Sequence, residues 1–214
     1  MDISKRYVMP AVFCMAILMI FSTCTCKKDI IRNCADNVYT FKMGASVYSD
    51  ADSIQIGDTI WLEASTPTSV KDSLTGKIVD YSGAENMGIA VSLLLFDENS
   101  IGNPNPIYAL SNFDYIIKVG SLYTSDQYAN NYLFDETNGN YIFKIGVVAN
   151  QTGLYSMSIS DAINVYRKND ECTKASFSIT YQQTNQHLYL YQNLYPGQQI
   201  SEYERTHLYC FKVY

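Results

Sequence analysis

Alternation of apolar and polar residues dominates this 214-residue chain from about residue 38 to its end. Side chains of a β-strand point alternately to its two faces, so this period of two predicts strands. Short apolar runs bounded by turn residues predict further strands. Together the predicted strands cover residues 38–48, 54–64, 77–81, 89–96, 113–123, 132–134, 141–148, 154–159, 177–181 and 207–213.

The segments between these strands are typical of turns and loops. Residues 135–140, DETNGN, place Asn138 and Gly139 at the tip of a hairpin. Residues 97–106 contain prolines, which cannot donate ladder hydrogen bonds, so they predict a loop. Residues 185–205 are aromatic and polar and have room for one or two helical turns. Strands without long intervening helices predict an all-β fold, either an antiparallel sandwich or a barrel.

A different pattern occupies the N-terminus, where the apolar residues 8–21 follow Lys5 and Arg6. A helix that spans a membrane needs about 20 apolar residues, and this run is shorter. A short apolar run behind basic residues is typical of a secretory signal. We therefore predict a cleaved signal peptide over residues 1–23.

Residues 22–26, STCTC, follow the apolar run. An apolar residue and two small residues before a cysteine resemble the lipobox of bacterial lipoproteins, in which that cysteine is lipidated and becomes the first residue. Phe21 and residues 22–23 precede Cys24 in this order, so Cys24 is the expected site. Cys26 is the alternative, although the residues before it lack the apolar member.

The charged residues 27–29, KKD, resemble the tags that follow the cysteine in Bacteroidota-type lipoproteins. The chain is similar to the small, uncharacterised lipoproteins of such cells. The resemblance implies a cell-envelope protein, lipid-anchored in the outer membrane, and leaves open which side of that membrane it faces. We expect a polar tether over residues 24–37 and one domain over residues 38–214, with a C-terminal elaboration at about residues 185–205.

Two short patterns favour an immunoglobulin-like sandwich. Gly57, Ile60, Leu62 and Ala64 resemble the second strand of immunoglobulin-like domains, Gly-x-x-apolar-x-Leu-x-Cys, with Ala64 at the cysteine position. Residues 151–157, QTGLYSM, resemble the tyrosine corner of the same fold, Asp-x-Gly-x-Tyr-x-Cys.

The resemblance implies contacts for three of these residues. Gly153 makes a tight approach, and the Tyr155 hydroxyl reaches back to the backbone. Met157 stands at the second cysteine position. Since both patterns place these positions inside, we expect Ala64 and Met157 to face each other from two different sheets.

Charge and cysteines narrow the classes of function. The net charge is −6, and no basic cluster exists beyond Lys27 and Lys28, which argues against nucleic acid as a partner. Cys34 and Cys172 lie in polar, turn-like surroundings, and we predict a disulfide between them. Cys210 lies in an apolar strand and is interpreted as a buried free thiol. Without CxxC or HxxxH spacing we expect no metal site and no cofactor.

Candidate binding residues are concentrated near the C-terminus. Exposed rings of Tyr189, Tyr191, Tyr195 and Tyr203 would stack on sugar faces, which is the basis of a glycan-binding hypothesis. The alternative is that these tyrosines pack in the core with their hydroxyls at the rim.

Enzyme-type residues give weaker signals. The chain has no GxSxG, HExxH or phosphate-binding glycine loop. His187 and His207 are the two histidines of the chain, and we interpret His207 as a polar surface residue beside a core thiol. Glu202 and Glu204 are interpreted as paired with Arg205 or solvated. We therefore expect a non-enzymatic binding or structural module of the envelope, whose partner is a glycan or an envelope protein. A glycan-binding lipoprotein and a hydrolase with an unrecognised site are the alternatives.

The lipobox generates the first prediction, that the mature protein begins with a lipidated Cys24. Mass spectrometry of the purified protein should show this N-terminus, and Cys24→Ala should abolish lipidation. A mature chain that starts at Cys26 or at Met1 would contradict the assignment.

The second prediction is the bridge between Cys34 and Cys172. A loop of this length gives roughly 5 kcal/mol of stabilisation in the chain-entropy treatment, before strain is subtracted. Thiol labelling of the native oxidised protein should leave both cysteines unmodified. Labelling of both thiols would contradict the predicted disulfide.

Overall fold

The computed structural model of the chain describes residues 37–97, 106–182 and 185–214. The predicted signal peptide, Cys24, Cys26 and Cys34 lie outside the described residues, so the predictions about them stay predictions. The described residues belong to one compact unit, Asp36–Tyr214.

Most of the described chain forms β-strands, which confirms the all-β prediction. The larger of two main sheets contains β1 (Asn37–Tyr48), β3 (Thr59–Pro67), β6 (Ala84–Glu85), β9 (Phe113–Val119), β12 (Asp135–Thr137), β13 (Asn140–Ala149), β15 (Ala162–Arg167) and β16 (Asp170–Tyr181). It is called the first sheet below.

The second sheet contains β2 (Ser53–Ile54), β7 (Gly88–Phe96), β8 (Ile107–Tyr108), β10 (Ser121–Ser125), β11 (Asn130–Leu133), β14 (Gly153–Ile159) and β17 (Leu208–Val213). A small separate hairpin is formed by β4 (Ser69–Lys71) and β5 (Ile78–Asp80). The helical elements are a 3₁₀ turn (Leu110–Asn112) and two short helices, α1 (Leu188–Leu194) and α2 (Glu202–His207).

The strand order shows that both sheets are mixed. The first sheet runs β12–β13–β3–β1–β16–β15–β6, with β9 also on β13, and the second runs β10–β11–β7–β14–β17–β2, with β8 also on β7. Most pairs are antiparallel, but β1 pairs with β16, and β17 with β2, in parallel. The purely antiparallel arrangement was therefore wrong. The parallel pair of β1 and β16 joins segments that are distant in sequence. It forms because the hairpin of β15 and β16 adds to the free edge of β1.

Buried side chains of both sheets form one core. Ile60, Leu62 and Ala64 point inward from β3, as their alternation predicted. Met157 is fully buried on β14 in the same core. Ala64 and Met157 thus lie on different sheets, in agreement with the prediction.

The tyrosine corner forms as its sequence pattern indicated. The ring of Tyr155 is fully buried, and its hydroxyl lies 3.2 Å from the carbonyl oxygen of Gln151. Gly153 has a φ of 152°, which residues with a side chain rarely adopt, and a Cβ there would lie 2.6 Å from Leu95 Cδ1.

Two predicted strands are each divided between the sheets at a glycine. Residues 54–64 break at Gly57, whose φ of 89° separates β2 in the second sheet from β3 in the first. Residues 113–123 break at Gly120, whose φ of 91° carries the chain from β9 in the first sheet to β10 in the second. Glycine adopts such positive φ angles without steric cost.

The C-terminal elaboration packs on the outer face of the second sheet. Helix α1 and the residues that follow it cover Phe96, Leu154 and Cys210, and contribute two buried tyrosines to a small second core. This cluster consists of Phe96, Leu154, Tyr191, Tyr195, Ile200 and Cys210. None of the helices within the described residues is long and apolar enough to cross a membrane.

The parallel pairing of β1 with β16 bears on the predicted disulfide. Asn37 lies opposite Thr173, so Cys172, near the start of β16, lies close to the start of β1. Cys34 is three residues before Asn37 in the sequence and lies outside the described residues, so the bridge stays a prediction.

The core generates the third prediction, a contrast between two variants of β14. Met157→Ala should open a cavity and lower the free energy of unfolding by about 2–5 kcal/mol. Tyr155→Phe keeps the ring and removes only the hydroxyl, so its cost should be about 1 kcal/mol. Denaturant titration of both variants measures the difference. Equal costs would contradict this account of the packing.

Candidate functional site

The four tyrosines proposed for sugar stacking do not share one surface. Tyr189 and Tyr203 are exposed, whereas Tyr191 and Tyr195 are buried in the second core. The Tyr189 hydroxyl donates to Asp52, and one face of the Tyr203 ring is stacked on His207 at 3.9 Å between centroids. The alternative, that the tyrosines pack in the core, thus describes Tyr191 and Tyr195. A sugar-binding role for the four tyrosines stays a prediction.

Tyr191 and Tyr203 do line a common pocket of about 390 Å³, together with Gln198 and Glu204. Glu204, however, serves the helix, because its carboxylate accepts from the Ser201 N–H at 2.7 Å while Ser201 Oγ accepts from the Glu204 N–H. This capping box corrects the expectation that Glu204 pairs with Arg205 or water. Its signal, Ser201 three residues before Glu204, was available in the sequence.

Both histidines are buried, which corrects the interpretation of His207 as a surface residue. His207 Nε2 lies 3.2 Å from Asp161 Oδ1, and its ring packs on Tyr203. His187 packs against the Tyr209 ring with its Nδ1 unpaired, 3.9 Å from Asp50 through Nε2.

Cys210 is a fully buried free thiol, as predicted. Burial raises the pKa of this thiol to about 12, so it stays protonated at neutral pH. It lies in the second core away from His207, and the two form no catalytic pair.

A larger concave surface lies elsewhere, between the edges of the two sheets. It is a cleft of about 620 Å³ where β9 leaves the first sheet and β10–β11 begin the edge of the second. It is lined by Tyr108, Leu110, Ser111, Phe113, Tyr115, Ile117, Leu122, Ser125, Asp126, Gln127, Asn130 and Tyr132. We call it the edge cleft.

The edge cleft exists because of Gly120. The chain crosses between the sheets at this residue, and a Cβ there would lie 2.5 Å from the Leu133 carbonyl oxygen. The inner faces of β9 and β10 therefore diverge, and no further strand of the described residues fills the space between them. Ile117 and Leu122 face this gap and are 40% and 48% exposed, although their alternation places them on the inner faces.

Aromatic rings form the floor and one wall of the edge cleft. Phe113 and Tyr132 are buried at the floor. The half-buried Tyr115 donates its hydroxyl to the Leu110 carbonyl at 3.1 Å, which fixes its ring. Tyr108 is half exposed and packs edge-to-face on Tyr128 at 4.9 Å between centroids.

Polar groups collect at one end of the cleft. Asp126 accepts hydrogen bonds from the backbone N–H groups of Tyr128 at 2.7 Å and Ala129 at 2.9 Å. These N–H groups hold the pKa of the Asp126 carboxyl below its usual value. Ser125 Oγ donates to Asn130 Oδ1 at 2.6 Å.

One polar group of the floor is unsatisfied. Tyr132 is 1% exposed, and its hydroxyl has no hydrogen-bond partner among the described residues. Burial raises the pKa of this hydroxyl to about 12, so it remains a neutral donor and acceptor. A buried polar group without a partner costs free energy, and this hydroxyl has no surface that a ligand in the cleft could reach.

The edge cleft was not predicted from the sequence, because the apolar pattern of residues 113–123 predicts one continuous strand. Two signals were present. Gly120 interrupts the alternation, which often marks a bend or a close backbone approach. The apolar residues around it continue on both sides of the glycine, so neither face of the segment is clearly polar.

No protein-family model matches this chain, and no curated protein matches it. Among solved structures, the chain is similar to the Reelin-N domain of F-spondin, with a TM-score of 0.32 and 11% identity over 67% of this chain and 83% of that one. It is also similar to PbICP-C from a complex with falcipain-2, with a TM-score of 0.21 and 14% identity over 69% of this chain and 91% of that one. Likeness at these TM-scores carries no conclusion about fold or function.

Proposed function

We propose that this protein is a non-enzymatic ligand-binding module of the bacterial cell envelope, held on the outer membrane by a lipid on Cys24. The observation that carries the binding role is the edge cleft, a preformed concave surface with aromatic walls and a few convergent polar groups. Such surfaces are typical of small-molecule sites, and its volume lies in the usual range of about 300–1,000 Å³. The lipobox-like residues 21–24 support the anchor.

The scaffold of this module is, we propose, an immunoglobulin-like sandwich. Support comes from the neighbours of each strand: β3 lies beside β13 in one sheet, and β7, β14 and β17 are adjacent in the other. This matches the B–E and C–F–G neighbours of that fold, with Tyr155 at the start of the F-like strand. The chain departs from the pattern by inserting the β15–β16 hairpin between the F-like and G-like strands.

The lining of the edge cleft suits binding better than acid–base or nucleophilic chemistry. Among the described residues that line it there is no His, Cys or Lys, and Asp126 is its single carboxylate. That carboxylate already accepts two backbone hydrogen bonds. These features favour the binding role over the hydrolase alternative.

Glycan binding near the C-terminus is a second candidate function. The pocket lined by Tyr191, Tyr203 and Gln198 favours it. A site there would use two of the four tyrosines singled out in the sequence, since Tyr195 is buried and Tyr189 lies outside that pocket.

The fourth prediction tests the edge cleft with a neutral fluorescent probe, N-phenyl-1-naphthylamine. The protein is the mature chain, residues 24–214, with Cys24→Ser so that no lipid is attached. Saturable binding is expected, and Leu122→Glu should weaken it about tenfold, because the variant places a carboxylate in an apolar wall.

Ile163→Glu is the matched control, since Ile163 is an exposed apolar residue of β15, 69% exposed and outside the cleft lining. This control should leave probe binding unchanged. Equal effects of the two variants, or no binding by the parent chain, would overturn the proposed use of the cleft.

A further inference from the structure

The charge of the edge cleft restricts what it can bind. No Lys, Arg or His occurs among its described lining residues, and Asp126 is the one charged side chain. The pKa of that carboxyl is held below its usual value by the Ala129 and Tyr128 N–H groups, so it is ionised at neutral pH. An anionic ligand would meet a like charge and find no counter-charge, whereas a cation would find one.

The rings of the cleft provide a second attraction of the same sign. The face of an aromatic ring is electronegative and attracts a cation within about 6 Å of its centroid. Tyr108 and Tyr115 line the cleft, and both keep part of their surface accessible. The hydroxyl of Tyr115 is tied to the Leu110 carbonyl, so its ring is held in place before a ligand arrives.

The Tyr132 hydroxyl is buried beneath the floor of the cleft and presents no accessible polar atom there. The remaining lining residues, such as Phe113 and Leu122, are apolar and would contact a hydrocarbon or aromatic body.

The charge of the whole chain acts in the same direction. The net charge is −6, and its long-range field attracts cations toward the surface. The cleft therefore combines a carboxylate, electron-rich rings and a negative protein field.

We propose that the ligand of the edge cleft is a small organic cation, an amine or related group carried on an apolar or aromatic body. This inference rests on the proposed binding function and names its ligand class. The cationic group lies at the end of the cleft that contains Asp126, and the apolar body lies along Tyr108, Tyr115 and Leu122.

The fifth prediction uses three probes that share one ring system and differ in charge: the cation of 2-(1-naphthyl)ethylamine, neutral 2-(1-naphthyl)ethanol and the anion 1-naphthaleneacetate. Isothermal titration of the mature chain with Cys24→Ser should give the order amine, alcohol, anion. The amine should bind about fivefold more tightly than the alcohol, as one exposed charge pair and one cation–π contact predict. Higher salt should reduce this ratio.

Asp126→Asn should bring the amine-to-alcohol ratio close to one. The asparagine oxygen can still accept the two backbone hydrogen bonds, so the turn is retained. Asp114→Asn is the matched control: it removes the same charge from the chain, but Asp114 lies on the other face of β9, outside the cleft lining. The ratio should survive in that variant.

The outcomes separate this inference from the proposed function. Equal binding of all three probes, still sensitive to Leu122→Glu, would overturn the cationic ligand and keep the cleft as a binding site. Tightest binding of the anion, or an equal drop of the ratio in both Asp variants, would also overturn it. If all three probes bound the Leu122→Glu variant as tightly as the parent chain, the proposed function itself would be overturned.

Discussion

Tyr155 connects segments of the chain that are far apart in sequence, through its buried ring and through its hydroxyl. The hydroxyl lies 3.2 Å from the Gln151 carbonyl oxygen and accepts from Asn112 Nδ2 at 3.1 Å. The ring packs edge-to-face on Phe113 at 4.8 Å and is stacked on Phe211 at 5.8 Å. One residue thereby ties the β13–β14 turn, the 3₁₀ turn before β9 and the last strand together.

The same contact places the floor of the edge cleft. Asn112 ends the 3₁₀ turn, and Phe113 begins β9 and lines the cleft. Without the hydrogen bond from Asn112 to the Tyr155 hydroxyl, the entry into β9 would lose a partly buried contact. The corner is thus a structural motif in the core and, through its neighbours, a support for the candidate site.

Local sequence patterns predicted the parts of this fold that depend on neighbouring residues. Alternation assigned Ile60, Leu62 and Ala64 to the inner face, and Asn138 and Gly139 form the predicted hairpin tip with φ angles of 51° and 70°. Both positive angles are those that a type I′ turn needs. Local pattern could not tell which sheet a strand joins, because pairing is set by distant segments. The parallel pairing of β1 with β16 and the strand β15 were missed for this reason.

The C-terminal tyrosines illustrate a different limit. A tyrosine has an apolar ring and a polar tip, so its type alone does not distinguish a core position from a binding surface. Tyr195 is buried because α1 lies on the outer face of β7 and β14. The alternation of apolar and polar residues in the strands does not predict this packing. Tyr189, on the same helix, is exposed and engages Asp52.

The open side of the fold follows from the two glycines that switch the chain between sheets. Gly57 and Gly120 end one strand and start the next in the other sheet. At Gly57 the inner faces remain covered, and the Gly57 N–H donates to the Ala149 carbonyl oxygen at 2.8 Å. At Gly120 they do not, and Ile117 and Leu122 stay accessible on faces that alternation directs inward. Leaving inner-face side chains in water forgoes hydrophobic stabilisation that a few more residues of strand would have supplied. A contiguous apolar surface with polar groups at one end is what interaction sites have in common, and that is the physical reason to place the function of this chain there.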